Sequence, residues 1–242
     1  MKQEEQITNN WNKLIEIINN NISDDRKDKL LEMYEYFKER MILTPASSHD
    51  YFHNCFPGGY VQHILNIINY SLQIKNLWQE NGAVIDYTDE ELIFAAMHHD
   101  LGKIGDLEND HYIPNPSEWH RINQGKIYTT NSDIQFVTPP DRAIWILNQF
   151  SIKMSLNEML GIKLADGMYD DGNIQYLKNY AKEKKLKSNL AHVIHQADMM
   201  ATRIEYEQNG EEPKSLPTKP SATKQDKEKL DDLKKEFDNL FK

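Results

Sequence analysis

Apolar residues recur at helical spacing along most of the chain. Trp11, Leu14, Ile15, Ile17 and Ile18 mark one amphipathic segment, and Leu30, Leu31, Tyr34, Phe37 and Met41 mark a second that Ser23 is placed to cap. Pro45, Pro57 and the Gly58–Gly59 pair break the pattern between Leu43 and Gly59. A helix is then predicted from about Tyr60 to Trp78, with His63, Ile67, Tyr70 and Ile74 on one face. The run Leu92–Met97 is apolar all round and reads as a buried helix. Thr88 and Glu91 form a capping box at its start, and it ends near His98.

The alternation changes between residues 105 and 139. Pro114, Pro116, Pro139 and Pro140 are interleaved there with Tyr112, Trp119, Ile127, Tyr128, Phe136 and Val137, which predicts an irregular excursion with a short hairpin. Helical spacing returns at Ala143–Phe150 and again after Ser155, whose partner Glu158 completes a second capping box. Asp166–Asn173 is a turn-rich acidic loop in which Asp170 and Asp171 read as turn formers, and a last core helix is predicted from about Ser188 to Tyr206. From Glu211 to Lys224, Lys, Pro, Ser and Thr dominate as in a linker. Leu230, Leu233, Phe237, Leu240 and Phe241 then return to helical spacing. The fold class is therefore all-α, with N-terminal helices in residues 1–42, a main domain in 43–210, a linker in 211–225 and an amphipathic C-terminal helix in 226–242. That last helix either folds back onto the domain or docks on a second subunit or partner.

Composition narrows the function classes. The 242 residues suffice for one substantial core without disulfide support, and the single Cys55 excludes an intramolecular disulfide and fits a reducing compartment. A net charge of −10 argues against binding long nucleic acid as the main role. No apolar run is long enough to span a bilayer and the first residues lack a signal-peptide core, so a soluble, cytoplasmic protein without membrane partners is expected.

Against that background, His99-Asp100 at the end of an apolar helix is costly. A carboxylate and imidazoles buried there require a cation or a full set of hydrogen bonds. His63 follows a glycine turn, and Asp198 sits in the late helix within His195–Met200. Two imidazoles with two carboxylates suit one divalent transition metal (Mn²⁺, Fe²⁺, Co²⁺, Ni²⁺ or Zn²⁺) better than Mg²⁺ or Ca²⁺. Singly, each has a plainer explanation: His63 as a hydrogen-bonded core residue, Asp198 as a cap or as the partner of Arg203.

The order His63, His99-Asp100, Asp198 resembles the HD-domain metal-dependent phosphohydrolases, helical bundles that bind metal through H…HD…D. Thr44-Pro45-Ala46-Ser47-Ser48 leading to Gly58-Gly59-Tyr60-Val61-Gln62-His63 is similar to the opening of HD domains in some 3′-5′ exoribonucleases and in uncharacterised bacterial and phage proteins. His99-Asp100-Leu101-Gly102-Lys103-Ile104 is close to the family's HD(I/L)GK signature, and the likeness spans about residues 43–207. It implies an HD-domain bundle with metal ligands His63, His99, Asp100 and Asp198 and with Asp100 and Lys103 in catalytic roles. Lys103 also has the plainer reading of a lysine answering a helix dipole.

Two departures concern the second metal that some relatives hold. The segment that carries a further histidine in them reads Thr138-Pro139-Pro140-Asp141-Arg142-Ala143 here, and another reads Gly161–Met168, where Asp166 replaces an imidazole. Asp166 and His120 are the remaining candidates for a second metal or for substrate, and one metal is favoured over two. His53 and Arg142 are candidates for substrate contact, as are Arg121 and Lys126. Tyr112, Trp119, Tyr128 and Tyr169 are candidates for stacking on a base. His98 reads as packing.

The expected activity is divalent-metal-dependent hydrolysis of a small phosphate ester, with a nucleotide as substrate and a 5′-nucleotidase-like phosphomonoesterase as the first form. The alternatives are a phosphodiesterase on cyclic or short oligonucleotides, and a catalytically silent nucleotide-binding module.

Overall fold

The structure is a computed structural model that describes residues 3–209. The expected linker 211–225 and C-terminal helix 226–242 lie outside the described residues. The two N-terminal apolar stripes form α1 (Gln3–Asn21) and α2 (Asp24–Tyr36), which bury Trp11, Leu14 and Ile18, and Leu30, Met33 and Tyr34. The second stripe breaks at Phe37, and α3 (Lys38–Leu43) continues it. Ser23 occupies the N-cap position of α2 but makes no side-chain cap bond. Its hydroxyl instead meets the Asp25 and Glu90 carboxylates, each at 2.8 Å, because Glu90 is drawn there by Arg26. Arg26 bridges Glu90 (2.7 Å) and Glu158 (2.8 Å) with its guanidinium over the Phe94 ring, so one side chain ties α2 to two later helices.

Helix α4 (Gly59–Glu80) begins after a sharp turn. Gly58 has φ +86°, and a Cβ on Gly59 would stand 2.0 Å from the Asn54 carbonyl oxygen, so the chain can reverse here only through this glycine pair. Helix α5 (Asp89–His98) carries both halves of the Thr88/Glu91 capping box and buries every residue from Leu92 to His98. A single 3-10 turn, Leu101–Ile104, follows. Its Gly102 packs so closely on Pro139 that a Cβ would lie 2.1 Å from that residue's carbonyl oxygen.

The excursion contains β1 (Tyr112–Pro114), α6 (Glu118–Gln124) and β2 (Tyr128–Thr130). The two strands pair antiparallel, Ile113 opposite Thr129, but a helix rather than a tight turn separates them. The physical reason is Ser117, whose hydroxyl caps α6, with Gly125 closing it. Helix α7 (Pro139–Gln149) starts four residues before the expected Ala143. Thr138 caps it, and prolines are compatible with a first helical turn because no amide donor is needed there.

Helix α8 (Leu156–Lys163) carries the Ser155/Glu158 capping box. Two 3-10 turns and α9 (Ile174–Leu177) lead to α10 (Leu190–Asn209). Among the described residues the fold is all-α apart from the one two-stranded sheet. Its centre is the packing of α4 on α10 and α5, with α8 closing the far side and α1 laid over α4. Trp11, Ile64, Phe94, Ile162 and Val193 belong to one continuous apolar core. No helix among the described residues is long and apolar enough to cross a membrane.

Candidate metal centre

Three core helices deliver the four candidate ligands to one point. His63 lies one turn into α4, His99 caps the C-terminal end of α5, Asp100 leads the 3-10 turn, and Asp198 is mid-way along α10. His63 and His99 are 0 % and 2 % exposed. Their Nε2 atoms converge on the two carboxylates: His63 stands 3.3 Å from Asp198 Oδ1 and 3.7 Å from Asp100 Oδ2, and His99 stands 3.4 Å and 4.0 Å from Asp100 Oδ2 and Asp198 Oδ1. Neither buried Nε2 has a hydrogen-bond partner among the described residues. Neighbouring ligands in a tetrahedral shell with bonds of about 2.1 Å lie about 3.4 Å apart. The donor spacing of His63, His99 and Asp198 is one that could hold a metal ion.

The other face of each imidazole is fixed. His99 Nδ1 pairs with the Ala96 carbonyl oxygen at 2.8 Å, and His63 Nδ1 with Glu205 Oε2 at 2.8 Å. Glu205 is fully buried, and its second oxygen accepts from the Asn66 side-chain amide at 2.7 Å. A carboxylate on the outer nitrogen sets the ring's orientation and tautomer and leaves Nε2 to ligate. Glu205 was not anticipated, although it follows Asp198 by two helical turns, one turn after the buried Ala201.

Charge at the centre is balanced internally. Burial alone would lower the His63 pKa, yet the Glu205 and Asp198 carboxylates raise it to about 10. Burial opposes ionisation of Asp100 as well, but Lys103 and His99 hold its pKa well below the usual carboxylate range. Lys103 Nζ donates to Asp100 Oδ2 at 2.6 Å and to the Ala46 carbonyl oxygen at 3.3 Å, so its charge is directed into the site rather than at a helix terminus.

The centre opens into a cleft of about 340 Å³ that presents Asp100, Lys103 and Asp198 beside Asp166, His195 and Arg203. His53 also lines it, its ring 4.8 Å from that of His63. Burial, then the neighbouring charge of His63, lowers the His53 pKa to about 3. Asp166 is raised by desolvation and by the Asp100 charge. His195 pairs through Nδ1 with the Ala165 carbonyl oxygen at 2.9 Å. Arg203 makes no ion pair among the described residues, so Asp198 is not its partner; the Asp198 carboxylate instead accepts from the Thr202 hydroxyl at 3.3 Å. Phe52, Tyr169 and Met199 complete the walls.

Other candidates fall elsewhere. His120 is exposed on α6 with Nδ1 held by the Ser117 hydroxyl at 2.6 Å, and it does not line the cleft; the imidazole beside Asp166 is His195. The groups with metal-ligand spacing are His63, His99 and Asp198, and His53, His63 and Glu205; Asp166, His195 and Asp100 fall outside both, although Asp100 Oδ2 lies 3.7 Å and 3.4 Å from the Nε2 atoms of His63 and His99. Arg142, expected at substrate phosphate, is 4 % exposed and turned inward. It donates to the carbonyls of Gly102 (2.9 Å) and Gln135 (3.1 Å) and to His111 Nδ1 (3.0 Å), bracing the Leu101–Ile104 turn. Arg121 is likewise spent on the Asn115 carbonyl. His98 packs, its Nδ1 on the Phe94 carbonyl oxygen and its edge on Tyr34. Of the aromatic candidates, Tyr169 lines the cleft, Tyr112 and Tyr128 line a different groove, and Trp119 is exposed on α6.

No family model, no curated protein and no solved structure matches this chain.

Proposed function

We propose that this protein is a divalent-metal-dependent phosphohydrolase of the HD-domain kind, with one metal bound by His63, His99, Asp100 and Asp198 and with nucleoside monophosphates as its substrate class. The observation that carries the reading is the pair of buried, partnerless Nε2 atoms facing two carboxylates. A bound divalent cation supplies Lewis acidity toward phosphoryl oxygens and lowers the pKa of water. The chain's own groups do the rest. Asp100 orients the attacking water, and Lys103, held 2.6 Å from it, sets a positive charge beside the phosphoryl group. Arg203, a lining residue with no ion pair among the described residues, supplies a second cation for the substrate's anionic oxygens. His195, whose Nδ1–H donates to the Ala165 carbonyl oxygen, offers Nε2 as a proton acceptor in the cleft. Phe52 and Tyr169 give apolar faces of the kind a nucleobase stacks on.

The monoester form is preferred because Asp166 and His195, outside the ligand-spaced groups, also lack the short approach to the His63 and His99 Nε2 atoms that Asp100 makes, and clamping both sides of a diester is the work of a two-metal site. The test is product release from mono-, tri- and cyclic nucleotides and a short oligonucleotide by wild type and Asp100→Ala, both with Mn²⁺. Free phosphate and nucleoside from monophosphates, made by wild type alone, is the expected result. Turnover of the cyclic or oligonucleotide substrates alone would move the assignment to phosphodiesterase. Tight nucleotide binding without turnover would replace it with a binding module.

A further inference from the structure

A second depression, larger than the cleft, lies apart from it: a groove of about 600 Å³ lined by Tyr36, Tyr112 and Tyr128 together with Pro45, Pro57 and Pro114. None of these is a group for phosphate chemistry. Tyr36 is held in place, its hydroxyl on the Leu107 carbonyl oxygen at 3.0 Å and its ring edge-on to Phe37 and Phe150. Tyrosine rings together with prolines form the kind of surface on which extended proline-rich chain docks, since a pre-formed polyproline II segment loses little entropy on binding.

The groove's charge selects further. Arg40, the cation lining it, pairs with Asp110 at 2.7 Å, while Glu39 lines the groove with no ion-pair partner among the described residues. The groove is thus acidic in balance and suits a proline-rich segment that carries lysines.

The chain contains such a segment: Pro213-Lys214-Ser215-Leu216-Pro217-Thr218-Lys219-Pro220. It includes a Pro-x-x-Pro unit, and through Lys224 it carries three lysines and no acid in a chain of net charge −10. The point of departure agrees. Helix α10 ends at Asn209, whose side-chain amide donates to Asn54 Oδ1 at 3.0 Å, and Asn54 lies three residues before the groove residue Pro57. The three steps from Asn54 to Pro57 span at most about 11 Å, and the four steps from Asn209 to Pro213 reach about 14 Å.

We infer that Pro213–Pro220 docks within its own chain into the Tyr36–Tyr112–Tyr128 groove, with Lys214 or Lys219 answering Glu39. The groove is linked to the cleft through the backbone: Pro45 lines the groove, and the carbonyl of the next residue, Ala46, accepts from the cleft residue Lys103. The docked segment therefore buttresses the backbone that positions Lys103. This inference does not depend on the phosphohydrolase reading.

The test is paramagnetic broadening in the full chain. A nitroxide is placed at position 215 in Cys55→Ser/Ser215→Cys, and amide signals are compared with the reduced label. Intramolecular docking predicts that Ile113 and Tyr128 lose most of their intensity while Ala191, near the other end of α10, keeps it. Either Glu39→Lys, at an exposed position, or Pro217→Ala/Pro220→Ala restores the lost signals. Unchanged intensities, equal broadening at Ala191, or broadening that survives both variants would overturn the inference. Broadening in unlabelled chains mixed with nitroxide-labelled ones would overturn it too, by making a second copy the occupant.

Discussion

The two depressions linked through Pro45–Ala46 differ in what holds them. The cleft, about 340 Å³, is the smaller, yet its polar groups come from α4, α5 and α10 and are fixed from behind by Glu205 and the Ala96 and Ala165 carbonyls. The groove, about 600 Å³, is built from α3 and the excursion and presents rings and prolines. Volume does not find the chemistry here. Convergence does: His63 Nε2 and His99 Nε2, without hydrogen-bond partners among the described residues, lie within 4.0 Å of two carboxylates. The cleft gathers charged groups, Asp100, Asp166 and Asp198 with Lys103 and Arg203, whereas the groove gathers tyrosine rings and prolines.

The sharpest break is Asp100→Ala. It removes a metal donor and strips Lys103 of its partner, and phosphomonoesterase turnover falls by about 10³-fold or more. The same substitution leaves broadening of Tyr128 by the position-215 label in place, so steady-state rates and spectra together separate cleft from groove. Glu205→Gln keeps the shape but loses the charge behind His63, and calorimetry should show metal affinity lower by about 10–100-fold. Arg142→Met leaves the Gly102 and Gln135 carbonyls without their donor. A loss of about 2 kcal/mol in denaturant unfolding is expected. Arg203→Gln should raise KM by about 10-fold with little change in kcat, as for a group that binds ground state and transition state alike.

The smallest effect concerns pH and the excursion. Burial, then Arg142, lowers the His111 pKa to about 4 from 6.5. A depressed histidine contributes stability that is complete above the unfolded value of 6.5 and is lost as pH falls toward 4, where the folded state also takes the proton. The urea midpoint of wild type should therefore drop more steeply between pH 6.5 and 4.5 than that of His111→Gln. Identical slopes would remove His111 from the account.

Elements with strong local signals were legible in the sequence. The Thr88 and Ser155 capping boxes, the buried run Leu92–Met97 and the glycine pair before α4 state their roles within a few residues. The sequence also singled out His63, His99, Asp100 and Asp198, whose imidazoles and carboxylates the fold brings within 4.0 Å. What failed depended on distant partners. Ser23 lost its cap role to Glu90, 67 residues away. Arg142 is a brace only because Gly102 packs on the start of α7. Glu205 gains its partner from α4, 142 residues earlier, and no local pattern records that pairing. His195 was visible only as a neighbour of Asp198, and its place in the cleft follows from the Ala165 carbonyl that holds it.

The measurement that tests the central claim most directly is the coordination of Mn²⁺ by the full chain, followed by pulsed electron paramagnetic resonance. The account predicts one tightly held Mn²⁺ per chain with coupling to imidazole nitrogen from His63 and His99, diminished in His99→Ala and unchanged in His120→Ala. A protein that holds no Mn²⁺, or holds it through oxygen alone with no imidazole coupling, would contradict the assignment of this cluster as a metal centre.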